Sequence, residues 1–246
     1  LIGGGVWLIY RGTTRELELA RLRSEFVSNV SHELRTPLQS IQMYAETLSL
    51  KRYRDEAQHQ RYLDTITQES NRLARMVGNV LDFSRIEQGR KSYQFRSVEL
   101  GPLVSKTLSD FESGMMDRGF TLRKVLAEDI VVNADADAID SVIGNLLANA
   151  IRYSTDRLEV EVRVAREDGN AVVEVLDRGI GVPADERADI FEKFYRASNV
   201  VDATGTGLGL CLVRDIVKAH GGSCEVQERE GGGSVFRIRL PEVVSS

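Results

Sequence analysis

Residues 140–154 read Asp-Ser-Val-Ile-Gly-Asn-Leu-Leu-Ala-Asn-Ala-Ile-Arg-Tyr-Ser, and how this stretch folds decides the architecture around it. The run predicts a helix from Asp140 to Tyr153, in which Asn145 and Asn149 stand four positions apart and so share a face amid apolar neighbours. A buried amide without a partner is costly. A hard cation carrying bound phosphates would satisfy both amides, because Mg²⁺ takes one or two protein oxygens and leaves the rest to water and phosphate. Amides capping neighbouring backbone are the alternative.

Around this helix the chain alternates short β-rich runs with helical patterns. The runs are Ser92 to Val98, Phe120 to Val125, Ile130 to Ala134, Leu158 to Ala165, Ala171 to Leu176, Ser223 to Glu228 and Ser234 to Leu240. Helical spacing falls near residues 100–117, 135–153 and 208–220. The order predicts a two-layer α/β sandwich with a mixed sheet. There is no GxxxxGK[ST] and no GxGxxG after a strand, which excludes P-loop and Rossmann cofactor sites. Instead, the run Ala171 to Leu176 ends in Asp177-Arg178-Gly179-Ile180-Gly181. A carboxylate there can accept a hydrogen bond from an adenine amino group, although the pattern alone is often just a turn. Further on, Thr204-Gly205-Thr206-Gly207-Leu208-Gly209-Leu210 opens a helix and places glycine N–H groups where phosphates bind. Between them lies Ile190-Phe191-Glu192-Lys193-Phe194-Tyr195-Arg196, followed by a polar stretch, Ala197 to Ala203, that reads as a short lid.

Towards the N-terminus the pattern is different. Leu19, Leu22, Phe26, Val30, Leu34, Leu38, Ile41, Ala45 and Leu48 recur every three or four residues, and Leu63, Ile66, Leu73, Val77 and Val80 form a second stripe after a charged turn, Lys51 to Glu56. Two long helices in a hairpin have seams too narrow to close a core, so a homodimer making a four-helix bundle is expected. Gly89 is the expected C-cap of the second helix. The first helix carries Ser31-His32-Glu33-Leu34-Arg35-Thr36-Pro37. A zinc-protease motif would need a second His where Thr36 stands, so zinc hydrolysis is excluded. Pro37 removes the N–H that would bond the Glu33 carbonyl and predicts a bend one turn from His32. His59 and His220 match no motif and are expected on the surface.

The chain has 246 residues, 42% hydrophobic and 28% charged, as ordinary globular proteins have. A net charge of -5, from 32 Lys and Arg against 37 Asp and Glu, lacks the basic excess of a nucleic-acid binder. The two cysteines, Cys211 and Cys224, form no CxxC and no disulfide framework, and are expected as buried thiols in a reducing compartment. Opening on Leu1 rather than Met, the chain is expected to be a fragment or a processed product. Its apolar first ten residues are too short to span a bilayer. They are either a poorly packed end or the cytoplasmic end of a membrane helix, and aromatics followed by Arg11 suit the second. The expected organisation is a linker or membrane-helix remnant over 1–14, a helical hairpin over 15–90 and the sandwich over 91–246.

In this order and spacing the segments resemble the H, N, G1, F and G2 boxes of sensor histidine kinases, from about Arg15 to Pro241. The resemblance implies a dimerising phosphoacceptor hairpin followed by an ATP-binding sandwich of the superfamily shared with Hsp90, gyrase and MutL. It implies ATP and Mg²⁺ as ligands, with His32 as the nucleophile, Glu33 as the acid that orients it and takes its proton, and Thr36 as the residue for hydrolysing a phospho-aspartate. It places Mg²⁺ on Asn149, with Asn145 beside it, and phosphate contact on Arg152. It places adenine recognition on Asp177, and further nucleotide contacts on Tyr153, Gly179, Gly181, Phe194, Gly205, Thr206, Gly207, Leu208 and Gly209. A response-regulator receiver is the implied partner, with the catalytic part cytoplasmic and the full-length protein anchored in the cell membrane. Pro37 is then the expected hinge for signal. This sequence departs from the family in Arg178, where a small polar residue is common, in Thr204, where a further Gly is common, and in the short lid. A nucleotide-gated scaffold without catalysis is opposed by intact His32, Glu33 and Asn149. A chaperone- or topoisomerase-like ATPase would lack the H-box hairpin.

Overall fold

The computed structural model describes residues 27–200 and 206–243. Leu19, Leu22, Phe26 and the expected linker or membrane-helix remnant over 1–14 lie outside the described residues. The chain divides into two compact units, one reaching to Met76 and including Thr206 and Gly207, the other running on from Val77 and resuming at Leu208.

In the first unit, helix α1 covers residues 27–49 and continues through Pro37. Helix α2, Glu56–Glu87, follows a tight turn. The N–H of Arg52 donates to Thr47 O and that of Lys51 to Leu48 O, both at 2.9 Å, with Lys51 left-handed at φ 53°. This satisfies the carbonyls that a helix end leaves free. Asp55 then starts α2, its Oδ1 accepting the Gln58 N–H at 2.7 Å, while Gln58 Oε1 accepts from Arg54 N at 2.6 Å. The rings of Tyr44 and Tyr62 stack 5.0 Å apart between the helices. No residue of α2 is buried, and Leu38, Leu63 and Val77 of the two apolar stripes are exposed. Gly89, at φ 62°, ends α2 as its spacing predicts, with Arg90 N donating to Arg85 O.

The sheet-bearing unit holds β1 (Arg96–Glu99), α3 (Leu100–Asp117), β2 (Thr121–Leu126), β3 (Val131–Ala134), α4 (Ala136–Tyr153), β4 (Glu159–Glu167), β5 (Asn170–Leu176), α5 (Gly209–Ala219), β6 (Ser223–Glu228) and β7 (Ser234–Pro241). Strands β1 and β3 form an antiparallel pair. The other five form a sheet in the order β2-β4-β5-β7-β6, with β2 parallel to β4 and the remaining pairs antiparallel. The expected mixed sheet with helices against it is what forms.

Alternation explains the layers. Along β7, Ser234, Phe236, Ile238 and Leu240 are buried while Val235, Arg237 and Arg239 are more exposed. On the buried side, Val160, Val162, Val173 and Ile238 meet the apolar faces of α4 and α5, where Ile139, Ile143, Leu147 and Ile216 are fully buried. The other face is tied by ion pairs: Arg163 with Glu161 along β4 at 2.8 Å, and across strands Arg237 with Glu174 at 2.5 Å and Arg239 with Glu225 at 2.9 Å.

Two expectations are corrected. The first strand is shorter than Ser92 to Val98, because Tyr93 and Phe95 pack their rings on His220 at 5.1 and 4.9 Å instead of pairing in a sheet. His220 is accordingly buried, at 6% exposure, rather than on the surface. Its Nε2 accepts the Asp135 N–H at 3.0 Å and its Nδ1 lies 2.8 Å from Ile216 O, so the proton sits on Nδ1 and the ring joins the start of α4 to the end of α5.

Arg229 is the most enclosed cation of the sheet, at 8% exposure. It donates to Glu159 at 2.6 Å, to Glu161 at 3.4 Å and to the Asp177 carbonyl at 3.3 Å. Removing one partner of a buried pair strands the other, so Arg229→Ala is expected to destabilise the chain by about 3 kcal/mol. Urea unfolding checks this, and Arg229→Lys should recover only part of the loss.

Candidate functional site

Helix α4 begins at Asp135, whose Oδ1 accepts the N–H groups of Asp137 and Ala138 at 3.1 Å. This cap and the buried apolar face orient the two asparagines. Asn145 is buried at 9% exposure, whereas Asn149, one turn on, is only half-buried. The expectation of two equally buried amides is corrected to one, because the turn at Ala148 and Asn149 rises out of the core. Arg152 and Tyr153, at the C-terminal end of the same helix, are half-buried.

Strand β5 delivers Asp177 at 3% exposure. Both of its backbone donors reach one oxygen: Oδ1 accepts from Gly179 N at 2.8 Å and from Ser234 N at 3.1 Å. Burial pushes the carboxyl above the usual aspartate range, offset in part by those two N–H groups and by the Arg229 guanidinium. The backbone around it is close-packed. A Cβ on Gly179 would stand 2.5 Å from Tyr153 O, and one on Gly233 2.2 Å from Asp177 O. Ile180 N donates to Tyr153 O, so the end of α4 and the loop after Asp177 are joined at the backbone. Gly181 follows at φ 71°, a conformation that side chains disfavour.

Sequence reasoning missed what holds this carboxylate. Arg178 donates to the carbonyls of Glu230 at 2.5 Å and Gly232 at 3.1 Å, pulling the Gly231–Gly233 turn against Asp177. Three consecutive glycines at φ between 80° and 101° make that turn possible. A signal is present in the residues: Arg178 stands where a small polar residue is common, and Gly231, Gly232 and Gly233 stand in a row.

Leu208 is fully buried and Gly209 opens α5, its Cα so placed that a Cβ would lie 3.4 Å from Asn145 Oδ1. The asparagine helix and the glycine-rich helix start therefore meet. Gly207 is left-handed at φ 68° and Thr206 is half-buried, while Gly205 lies outside the described residues. Phe194, left-handed at φ 65°, packs edge-on against Phe83 at 5.6 Å. Asn199, at the start of the expected lid, donates to Gly181 O at 3.1 Å. On α1, in the other unit, His32 and Thr36 are exposed and Glu33 is at 9% exposure. The Thr36 hydroxyl donates to His32 O at 3.4 Å. Among the described residues no group of three or more His, Cys, Asp and Glu side chains could hold a metal ion.

Residues 22–89 match the His Kinase A (phospho-acceptor) domain, and residues 134–244 match the histidine kinase-, DNA gyrase B-, and HSP90-like ATPase. The chain belongs to the sensor histidine kinases. This histidine kinase chain is 35% identical to Drug sensory protein A of Synechocystis sp. over 96% of its own length and 37% of that protein. It is 32% identical to the sensor protein kinase WalK of Staphylococcus saprophyticus, over 96% of itself and 39% of that protein. The chain thus spans less than half the length of these relatives. Among solved structures, a mycobacterial sensor histidine kinase, MprB, superposes with a TM-score of 0.56 at 26% identity, covering 61% of this chain and 100% of that one. Full-length ShkA shares the fold, with a TM-score of 0.62 at 24% identity over 89% of this chain and 46% of that one.

The raised Asp177 makes a pH prediction. Between the ordinary aspartate value and its own, the native chain holds more protons than the unfolded one, so stability falls as pH rises through that window. Asp177→Asn keeps an oxygen for the Gly179 and Ser234 N–H groups and cannot ionise. Urea midpoints from about pH 4 to 7 should fall less steeply with rising pH in the variant than in the parent chain.

Proposed function

We propose that this chain is an ATP-dependent protein-histidine kinase that phosphorylates itself on His32 and passes the phosphoryl group to an aspartate of a response-regulator receiver. The single observation that carries this reading is Asp177, a buried carboxylate with both backbone donors on Oδ1; we read its other oxygen, Oδ2, as the acceptor for a donor such as the adenine amino group. Guanine presents a carbonyl at that position and would meet oxygen with oxygen.

The residues fit the rest of the nucleotide. Gly179 leaves no side chain between the loop after Asp177 and the end of α4. Asn149 offers a half-exposed amide oxygen for Mg²⁺, with Asn145 beside it. Arg152 supplies positive charge for phosphate. The N–H groups of Leu208 and Gly209 lie at the start of α5, where the helix field favours anions. In this reading Tyr153, Gly181, Phe194 and Leu208 are assigned further nucleotide contacts, as are Gly205, Thr206 and Gly207 of the glycine-rich run. Mg²⁺, when bound, neutralises charge on the phosphates. His32 stands exposed on α1, and Glu33 follows it to orient the ring and take its proton. In the transfer a ring nitrogen of His32 forms the bond to the γ-phosphorus, the bond from that phosphorus to the bridging oxygen breaks, and ADP leaves. Thr36, one turn from His32, suits orientation of a water in a phospho-aspartate phosphatase reaction.

Homodimerisation follows from the hairpin, whose α2 buries no residue in one chain and whose stripes at Leu38, Leu63 and Val77 need a second copy to cover them. We assign the phosphoacceptor hairpin to 15–90 and the ATP-binding sandwich to 91–246. None of the described helices is long and apolar enough to cross a membrane. The reading for the full-length protein is a membrane anchor ahead of a cytoplasmic kinase. With γ-labelled ATP, the chain is expected to acquire acid-labile, base-stable label, lost in His32→Gln and reduced to background in Asn149→Asp. Equal label on His32→Gln would overturn the kinase reading, and free phosphate without labelled protein would favour a simple ATPase.

A further inference from the structure

The last turns of α2 belong to the sheet-bearing unit and carry one stripe, Asn79, Phe83 and Glu87, spaced by four and so on one face. Each reaches a different part of the nucleotide-site frame. Phe83 meets Phe194. Glu87 pairs with Lys193. Asn79 makes the most specific contact, a reciprocal amide pair in which its Nδ2 donates to Asn145 Oδ1 at 2.7 Å and the Asn145 Nδ2 donates back to Asn79 Oδ1 at 3.3 Å.

The Asn145 amide is thereby wedged between two elements. On one side is Asn79. On the other is Gly209, the first residue of α5, whose Cβ position lies 3.4 Å from the same Oδ1. Asn145 is buried, so its amide has little room to find other partners if Asn79 leaves. A helix rotates by about 100° per residue, and a modest turn of α2 would carry the Asn79 amide out of hydrogen-bonding reach.

We propose that Asn79 is a positioning residue for the nucleotide site, acting through the Asn145 amide, so that the second hairpin helix sets the affinity for nucleotide. Asn79 itself touches no nucleotide. It holds the amide that stands beside Asn149 and against the start of α5, and it couples the setting of α2 to both. The proposal rests on the reading of Asn145, Asn149 and Asp177 as a nucleotide site.

The test uses the full chain with ATP and Mg²⁺, measuring the dissociation constant by calorimetry and the KM and kcat of autophosphorylation. Asn79→Ala is expected to raise the dissociation constant and KM about tenfold, the range for stranding one buried amide, with kcat at saturating ATP within about twofold of the parent. Asn79→Asp has the same shape but cannot donate to Asn145 Oδ1, so it should lose at least as much. A role in packing alone would tolerate this isosteric change, and Asn79→Asp also serves if the alanine variant folds poorly. In an Asn145→Ala background, Asn79→Ala should cost nothing further. Unchanged or tighter ATP binding in Asn79→Ala and Asn79→Asp, or losses that add to that of Asn145→Ala, would overturn the proposal. The control is Asp177→Asn. If it binds ATP as the parent does, the nucleotide-site reading itself falls, and the proposal with it. If it loses ATP while both Asn79 variants keep it, only the proposal falls.

Discussion

The Asp177 carboxylate constrains more of this molecule than any other group. A carboxylate at the buried end of a central strand is tolerable only if its charge is held by fixed donors, and those donors are the N–H groups of Gly179 and Ser234. To bring them in, the chain must pass backbone against backbone twice. Gly179 lies against the Tyr153 carbonyl, and Gly233 against the carbonyl of Asp177 itself. Three elements are therefore pinned at one point: the end of α4, the end of β5 and the start of β7. Arg178 and Arg229 close the arrangement from the loop side and from the sheet face. A site built this way is costly to the empty fold, since burial works against the ionised form. That cost is the ordinary mark of a group kept for binding rather than for stability.

The two units are stabilised in different ways. The sandwich closes its own core, with a sheet whose alternating residues meet the apolar faces of two helices. The hairpin does not, because α2 buries nothing in a single chain. In the proposed dimer a second copy would cover the same stripes. The end of α2 is different again. Beyond Met76 the helix joins the sheet-bearing unit, and its polar and aromatic residues find Asn145, Phe194 and Lys193.

Much of this was legible in the residues. The strands β2 to β7 fall where period-two runs predict them, and α3, α4 and α5 where the three-to-four spacing does. Gly89 caps α2 because only a left-handed residue can turn the chain there. The failures have physical causes. Tyr93 and Phe95 have the composition of a strand, but their rings are used against His220. His220 itself looked like a surface residue because nothing local reveals that the Asp135 N–H arrives from 85 positions away. Likewise, Arg178 and the Gly231–Gly233 turn are 52 and 54 residues apart at the contacts that join them. Asn79 carried no sequence signal, being one polar residue on a polar helix.

The amino-acid sequence by itself determined which segments are helix or strand, apart from the start of β1, and which residue types stand at the candidate site. Those properties depend on periodicity and on backbone preferences within a few residues, whereas His32, Asn145, Asn149, Asp177 and the glycine run before Leu210 took their roles from the resemblance to the boxes of sensor histidine kinases. Only the tertiary structure decided which amide is buried and which half-exposed, what holds the Asp177 carboxylate, and that α2 reaches Asn145 through Asn79. Burial, proton affinity and hydrogen-bond pairing between distant segments are set by the whole packed assembly of elements, and no window of neighbouring residues contains that information.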